Sequence, residues 1–83
     1  MVRYGELPET TQTTKDISAY LINYLDNNRL TAQDVANLLD RSQSYAYLRV
    51  HGKKSFTIDD IQIIANWLGF LSVRDFINAV TAS

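Results

Sequence analysis

Two short helical patterns lie so close together in this sequence that the segment between them must be a sharp turn. The first runs from Thr31 to Leu39 and the second from Gln43 to His51, each with apolar side chains at the spacing of one helix face. Three residues, 40–42, separate them, which is too few for an antiparallel hairpin with a real loop. This is the spacing of a helix-turn-helix, so the rest of the chain should pack around it.

A start signal for helices recurs along the chain. A Thr or Ser followed three residues later by Asp is typical of a helix N-terminus, because the two side chains can cap the first backbone N–H groups. The signal occurs at Thr13–Asp16, Thr31–Asp34, Thr57–Asp60 and Ser72–Asp75. Together with the pattern at 43–51, it predicts an all-α fold, a compact bundle of about five helices.

The apolar residues of these patterns are sufficient for one hydrophobic core. The chain has 83 residues, of which 46% are hydrophobic, and this length favours a single domain. We expect that domain at 13–80, after a flexible N-terminal arm at 1–12 and before a frayed C-terminus at 81–83. The predicted core residues are Ile17, Leu21, Tyr24, Leu25, Val35, Leu38, Leu39, Ala46, Val50, Ile58, Ile61, Ile64, Ala65, Leu68, Phe76, Ile77 and Val80.

The composition argues against several classes of protein. The chain has one histidine and no cysteine, so it offers no disulfide framework, no cluster with metal-ligand spacing and no nucleophile–base pair. We therefore predict that it is not an enzyme and holds no metal or cofactor. There is no apolar run near 18 residues and no signal peptide, which predicts a cytoplasmic protein without a membrane contact.

The distribution of charge is more informative than its sum. A net charge of -1 argues mildly against nucleic-acid binding, since such domains are often basic. However, half of the eight Lys and Arg residues fall in one segment without an acid, residues 41–58, here called the basic window. It contains Arg41, Arg49, Lys53 and Lys54, with the one histidine, His51. Such a window can neutralise phosphates, although it is also compatible with an ordinary solvated surface.

The pattern at 43–51 differs from the others in its first turn. Its expected N-cap is Ser42, but the residue three places later is Tyr45 instead of an acid. A carboxylate at this position would repel a phosphate. The absence of an acid is therefore what a helix end presented to DNA requires.

One side of this helix carries side chains suited to reading bases. Ala46 and Val50 should turn inward, which leaves the opposite face to Gln43, Ser44, Tyr47 and Leu48, here called the α3 face. Glutamine can pair with adenine, serine with several base edges, and an apolar side chain with a thymine methyl. Tyr45, Lys53 and Lys54 are predicted to contact the DNA backbone, and the alternative for the tyrosines is ordinary surface or core packing.

Residues 30–70 resemble the lambda-repressor-like helix-turn-helix family, which includes phage repressors and Cro proteins. The matching features are Leu30-Thr31, Val35-Ala36, Ser42-Gln43-Ser44, Gly52 with Lys53-Lys54, and Ile64-Ala65 to Leu68-Gly69. The resemblance implies a five-helix domain that binds operator DNA as a homodimer on two half-sites. By position, it places the α3 face on the bases, and Thr31, Arg41, Ser42, His51, Lys53 and Lys54 on the backbone.

The sequence departs from the family pattern at three positions. Ala32 stands where family members commonly have a glutamine that clamps the backbone, Asp40 where they commonly have glycine, and Arg49 where the residue is often apolar. Gln33 is a candidate to replace the missing glutamine. These departures affect the expected contacts more than the expected fold.

The sequence therefore predicts a sequence-specific transcriptional regulator, a repressor or Cro-like protein that acts in the bacterial cytoplasm if it is phage-encoded. A fragment of a longer regulator is an equal alternative. The main rival is a protein-interaction module, such as an antitoxin or adaptor, because one fold can serve several functions. For a dimer surface, the sequence suggests the last helix, with Phe76, Ile77 and Val80.

Overall fold

The computed structural model describes residues 11–82, and over this range the chain forms five α-helices and no strand. The predicted all-α class is therefore confirmed. The helices are α1 (Gln12–Asn27), α2 (Ala32–Leu39), α3 (Gln43–Val50), α4 (Ile58–Trp67) and α5 (Val73–Ala82).

One apolar core joins all five helices. Phe76, Leu21, Ile64, Val35 and Val50 are its largest fully buried side chains, one from each helix. α2 packs most extensively against α3, and α1 lies against both α3 and α5. Aromatic rings close one side of the core, where Trp67, Tyr20 and Phe70 are partly buried against it. Every buried residue of α3 faces this core, so its other side is available to solvent.

Three of the four predicted start signals are confirmed in the structure. The Thr57 and Ser72 hydroxyl oxygens accept the backbone N–H groups of Asp60 and Asp75, each at 3.1 Å. At Thr31 the two residues form a capping box, in which the Asp34 carboxylate accepts the Thr31 backbone N–H at 2.7 Å. These local hydrogen bonds satisfy N–H groups that have no partner inside the helix.

The start of α1 differs from the prediction. Thr11 is the N-cap, and its hydroxyl accepts the Thr14 backbone N–H at 3.2 Å. The predicted pair of Thr13 and Asp16 already lies inside the helix. The predicted start of α1 at Thr13 was therefore wrong by two residues, because several threonines close together offer alternative caps. The rest of the predicted arm lies outside the described residues.

The four junctions between helices share one type of ending. In each, a residue with positive φ follows the helix: Arg29 at 57°, Asp40 at 56°, Gly52 at 72° and Gly69 at 94°. The next residue's backbone N–H then reaches back five positions, as from Arg41 to the Ala36 oxygen at 3.0 Å and from Lys53 to Leu48 at 2.8 Å. This is the Schellman motif, which usually places glycine in the left-handed position. The short turn after α2 therefore forms with Asp40 in that place.

Three other expectations were wrong or only partly right. Ile58, predicted to be in the core, has 72% of its surface exposed. α5 extends through Thr81 and Ala82, which were expected to fray, and the Thr81 hydroxyl donates to the Ile77 carbonyl at 2.8 Å. Phe76 and Val80, suggested for a dimer surface, are fully buried within the single chain.

None of the helices in residues 11–82 combines the length and apolar character needed to cross a membrane.

Candidate nucleic-acid interface

The α3 face is formed as the helical spacing predicts. Ala46 and Val50 are buried at 0% and 2% exposure, which turns the opposite side of α3 to solvent. Gln43, Ser44 and Tyr47 are exposed there and Leu48 is half-buried. The four side chains line one shallow depression on the surface. The structure therefore brings all four predicted base-contacting residues together.

A second concave surface adjoins the α3 face. It runs between α1, the start of α2 and α3, and both Gln43 and Tyr47 belong to its lining as well. Thr31 and His51, two predicted backbone contacts, line the same groove. The His51 ring lies against Tyr47, with 4.3 Å between ring centroids. Asp26 is an acid in this lining, and it opposes any phosphate that enters the groove.

Gln33 also lies at this groove. It lines the groove together with Ala32, so the candidate replacement for the glutamine expected at position 32 lies beside that position. Its amide nitrogen donates to the Asn37 side-chain oxygen at 2.9 Å along α2.

The basic window has exposed cations at both ends of α3. Arg41 precedes α3, and Lys53 and Lys54 follow it, all with exposed side chains. Both lysine backbone N–H groups bond to the Leu48 carbonyl, at 2.8 Å and 3.3 Å, which fixes the chain direction just after α3. Ser42 is exposed and caps α3 by accepting the Tyr45 backbone N–H at 3.1 Å.

Tyr45 differs from its predicted role as a backbone contact. The residue is half-buried, and its hydroxyl donates to the Asp60 carboxylate of α4 at 2.5 Å. This hydrogen bond raises the pKa of Tyr45 above its ordinary value, with further contributions from burial and the Asp60 charge, while Arg49 and Arg41 lower it. The hydroxyl therefore donates its hydrogen bond to a partner within the protein.

Arg49 also contacts Tyr45. Its guanidinium carbon lies 3.5 Å from the Tyr45 ring centroid, and one of its terminal nitrogens donates to the Tyr45 carbonyl at 3.1 Å. The Nε atom is buried without a hydrogen-bond partner. Stacking on an aromatic ring is a common arrangement for arginine. Of the four Lys and Arg residues in the basic window, three therefore remain exposed.

Sequence reasoning missed the role of Asp60. Its position three residues after Thr57 matches the start signal, which predicts that its carboxylate caps α4. The structure confirms that Thr57 caps the Asp60 N–H, but the carboxylate itself is buried at 4% exposure and bonds to Tyr45. The available signal was that the predicted start of α3 has a tyrosine where the other four predicted starts have an acid.

The first turn of α3 contains no acid. Among residues 11–82, no three His, Cys, Asp or Glu side chains lie close enough together to hold a metal ion. The groups that the α3 face presents are an amide, two hydroxyls and one apolar side chain. Such groups form hydrogen bonds and van der Waals contacts with base edges.

Comparisons of the chain with models of protein families, with curated proteins and with solved structures found no match.

Proposed function

We propose that this protein binds double-stranded DNA in a sequence-specific manner, with α3 as the recognition helix of a helix-turn-helix. The observation that carries the proposal is the composition of the α3 face. Four side chains able to read bases share one depression, on a helix whose first turn contains no acid. Helix-turn-helix proteins place the start of their second helix in the major groove and read bases from it.

The surroundings of the α3 face support contacts with the DNA backbone. Arg41, Lys53 and Lys54 are exposed at the two ends of α3, and cations of this kind can neutralise phosphates. Thr31, Ser42 and His51 are exposed as well. Ser42 and His51 provide hydrogen-bond donors, whereas the Thr31 hydroxyl donates to Asp34 at 3.3 Å. Backbone contacts of this kind orient a protein on DNA, whereas base contacts select the sequence. Regulation of transcription as a repressor or Cro-like protein is the biological role that we propose for such binding.

A protein-interaction module is the second candidate, and exposed apolar side chains favour it. Leu71 has 92% of its surface exposed and Ile58 has 72%. Large apolar side chains at such exposure are found at protein interfaces, although single ones occur on most surfaces. Neither residue belongs to α3, so substitutions at these two residues and substitutions on α3 can distinguish protein binding from DNA binding.

Selection of duplexes from a randomised pool at low salt tests the proposal. We expect enrichment of one sequence, as an inverted repeat with half-sites about one helical turn apart if the protein binds as a dimer. Absence of any enrichment and of any binding at low salt would contradict the proposal and favour the interaction module. In that case Leu71→Ser should weaken partner binding, and Lys54→Ala should not.

Two substitutions then distinguish base contacts from backbone contacts. Gln43→Ala should lose about 1–3 kcal/mol on the selected duplex and much less on random DNA. Lys54→Ala should weaken binding to both duplexes equally and reduce the salt dependence by about one unit. Arg74→Ala on α5 is the control, because it removes an exposed cation outside the basic window. Equal losses on both duplexes for Gln43→Ala would refute its role in reading bases.

A further inference from the structure

Two helices of the domain are joined by a polar contact that helix capping does not require. The Tyr45 hydroxyl on α3 donates to the Asp60 carboxylate on α4, which is here called the Tyr45–Asp60 bridge. Tyr45 lies in the first turn of α3, two residues after Gln43 and next to Ser44. The bridge therefore acts on the same turn that carries two of the proposed base-contacting side chains.

The bridge should hold one geometry, because its carboxylate is buried. Asp60 is 4% exposed, and a buried carboxylate loses much free energy unless a donor reaches it. Hydrogen bonds to an ionised acceptor are short and directional. The bridge also ends close to the start of α4, where Thr57 fixes the Asp60 backbone N–H at 3.1 Å. Both ends of the bridge are thus anchored to helical backbone.

Arg49, one turn later in α3, also contacts Tyr45. Its guanidinium lies over the Tyr45 ring and donates to the Tyr45 carbonyl, so it restricts the ring from the side of the following turn. Arg41 lies 4.8 Å from the ring centroid and contributes a second positive charge. The ring of Tyr45 is therefore held by α4, by the preceding turn and by the next turn of its own helix.

We propose that Tyr45 is a positioning residue, which sets the base selectivity of Gln43 and Ser44 through its bridge to Asp60 and touches no base itself. This inference rests on the proposed DNA-binding function. Base discrimination by hydrogen bonds depends on side chains being held near the productive geometry by the residues behind them. A first turn that shifts or rotates on α4 keeps its phosphate contacts but loses aligned contacts to base edges.

The experiment compares affinity for the selected duplex with affinity for random DNA of equal length. The ratio of the two affinities is the readout. For Tyr45→Phe we expect this ratio to fall by about tenfold, within the range of one lost base contact, while affinity for random DNA stays unchanged. Asp60→Ala should have the same effect. Asp60→Asn should retain most of the ratio, because its amide oxygen can still accept the hydroxyl.

Two control variants test whether a fall in the affinity ratio comes from lost positioning or from lost stability of the fold. Val80→Ala removes a buried side chain of α5 and should lower the melting temperature without changing the ratio. Tyr24→Phe removes a tyrosine hydroxyl from α1, where the ring packs against Trp67, and should change neither. All affinities are measured at a temperature where every variant is folded by circular dichroism.

The possible outcomes distinguish the inference from the function on which it rests. A wild-type chain that selects no duplex would overturn the DNA-binding function and this inference with it. A wild-type chain that selects a duplex, with an unchanged ratio in Tyr45→Phe and Asp60→Ala, would overturn the inference alone. A fall in the ratio for Val80→Ala as large as that for Tyr45→Phe would also overturn it, because selectivity would then follow stability.

Discussion

α2 and α3 are neighbouring helices of eight residues each, and they are stabilised at their first turns in different ways. In α2, the Asp34 carboxylate folds back onto the Thr31 backbone of the same turn. In α3, the residue at the equivalent place is Tyr45, which reaches across to Asp60 of another helix. Both starts therefore have a local cap, from Asp34 in α2 and from Ser42 in α3, and the start of α3 adds a hydrogen bond to another helix.

The ends of the two helices repeat this contrast. Both finish with a residue in the left-handed region, which is Asp40 after α2 and Gly52 after α3. Asp40 is exposed, so its place depends on backbone conformation alone. Gly52 approaches the Ser18 side chain of α1, and the Ser18 hydroxyl donates to the Val50 carbonyl at 2.5 Å. α3 is therefore tied to its neighbours at both ends.

Removal of the Tyr45 hydroxyl should have the largest effect on stability. Tyr45→Phe leaves the buried Asp60 carboxylate without its donor, and we expect a loss of about 1.5–3 kcal/mol in the free energy of unfolding. Urea denaturation at pH 7 measures it. The matched change in α2, Asp34→Ala, removes only a local cap and should lose about 1 kcal/mol. Equal losses for the two variants would show that the start of α3 is as local as that of α2.

The same contact predicts a dependence on pH. The hydrogen bond to Asp60 raises the pKa of Tyr45 in the folded protein, so the folded chain keeps a proton that the unfolded chain releases near pH 10. The stability from this group is fully present below about pH 10 and is lost as the pH rises through the folded pKa.

The difference in stability between the wild-type protein and Tyr45→Phe isolates this contribution, because the other tyrosines and lysines titrate in both. We expect the difference to shrink above about pH 10, by at most about 1.4 kcal/mol per pH unit. Urea titrations at several pH values between 8 and about 11 measure it. A difference that stays constant over this range would contradict the raised pKa.

A methyl group added at the end of α3 should also destabilise the protein. Gly52 has φ 72°, and a Cβ there would lie 3.2 Å from the Cβ and Oγ of Ser18. Gly52→Ala should therefore lose about 1–2 kcal/mol from the left-handed backbone, plus the cost of displacing Ser18. The control is Gly69→Ala, which has φ 94° but no atom within 4 Å of its Cβ. A larger loss at Gly69 would contradict a role for the contact with Ser18.

The sequence was a good guide to structure wherever the determining interactions are local. The caps at Thr31, Ser42, Thr57 and Ser72 depend on residues three places apart, and the inward side of α3 follows from helical spacing. Both were therefore predicted correctly. The shift of the α1 start to Thr11 is of the same local kind, since adjacent threonines compete for one role.

The interactions that were missed depend on residues far apart in the sequence. Asp60 matched a local pattern, so nothing in the spacing indicated that its carboxylate would bond to Tyr45, fifteen residues earlier. Ile58 has the helical spacing of a core residue but lies at the exposed start of α4, where no other helix within residues 11–82 covers it. For the candidate site, helical spacing predicted the α3 face, but only tertiary packing could show that Tyr45 bonds to Asp60 and that Arg49 stacks on the Tyr45 ring.

The smallest change in the free energy of unfolding is expected at Asp40, the exposed residue just after α2. Asp40 has φ 56°, and a non-glycine residue there is strained by contacts between its Cβ and the backbone. Asp40→Gly should therefore raise the free energy of unfolding by about 0.5 kcal/mol, because the relief of strain exceeds the greater freedom of glycine in the unfolded chain. Arg29→Gly, with φ 57° after α1, is the parallel case and should give a gain of similar size. Thermal unfolding of both variants against the wild-type protein measures the effect, and a lower melting temperature for Asp40→Gly would mean that its side chain stabilises the turn beyond its backbone conformation.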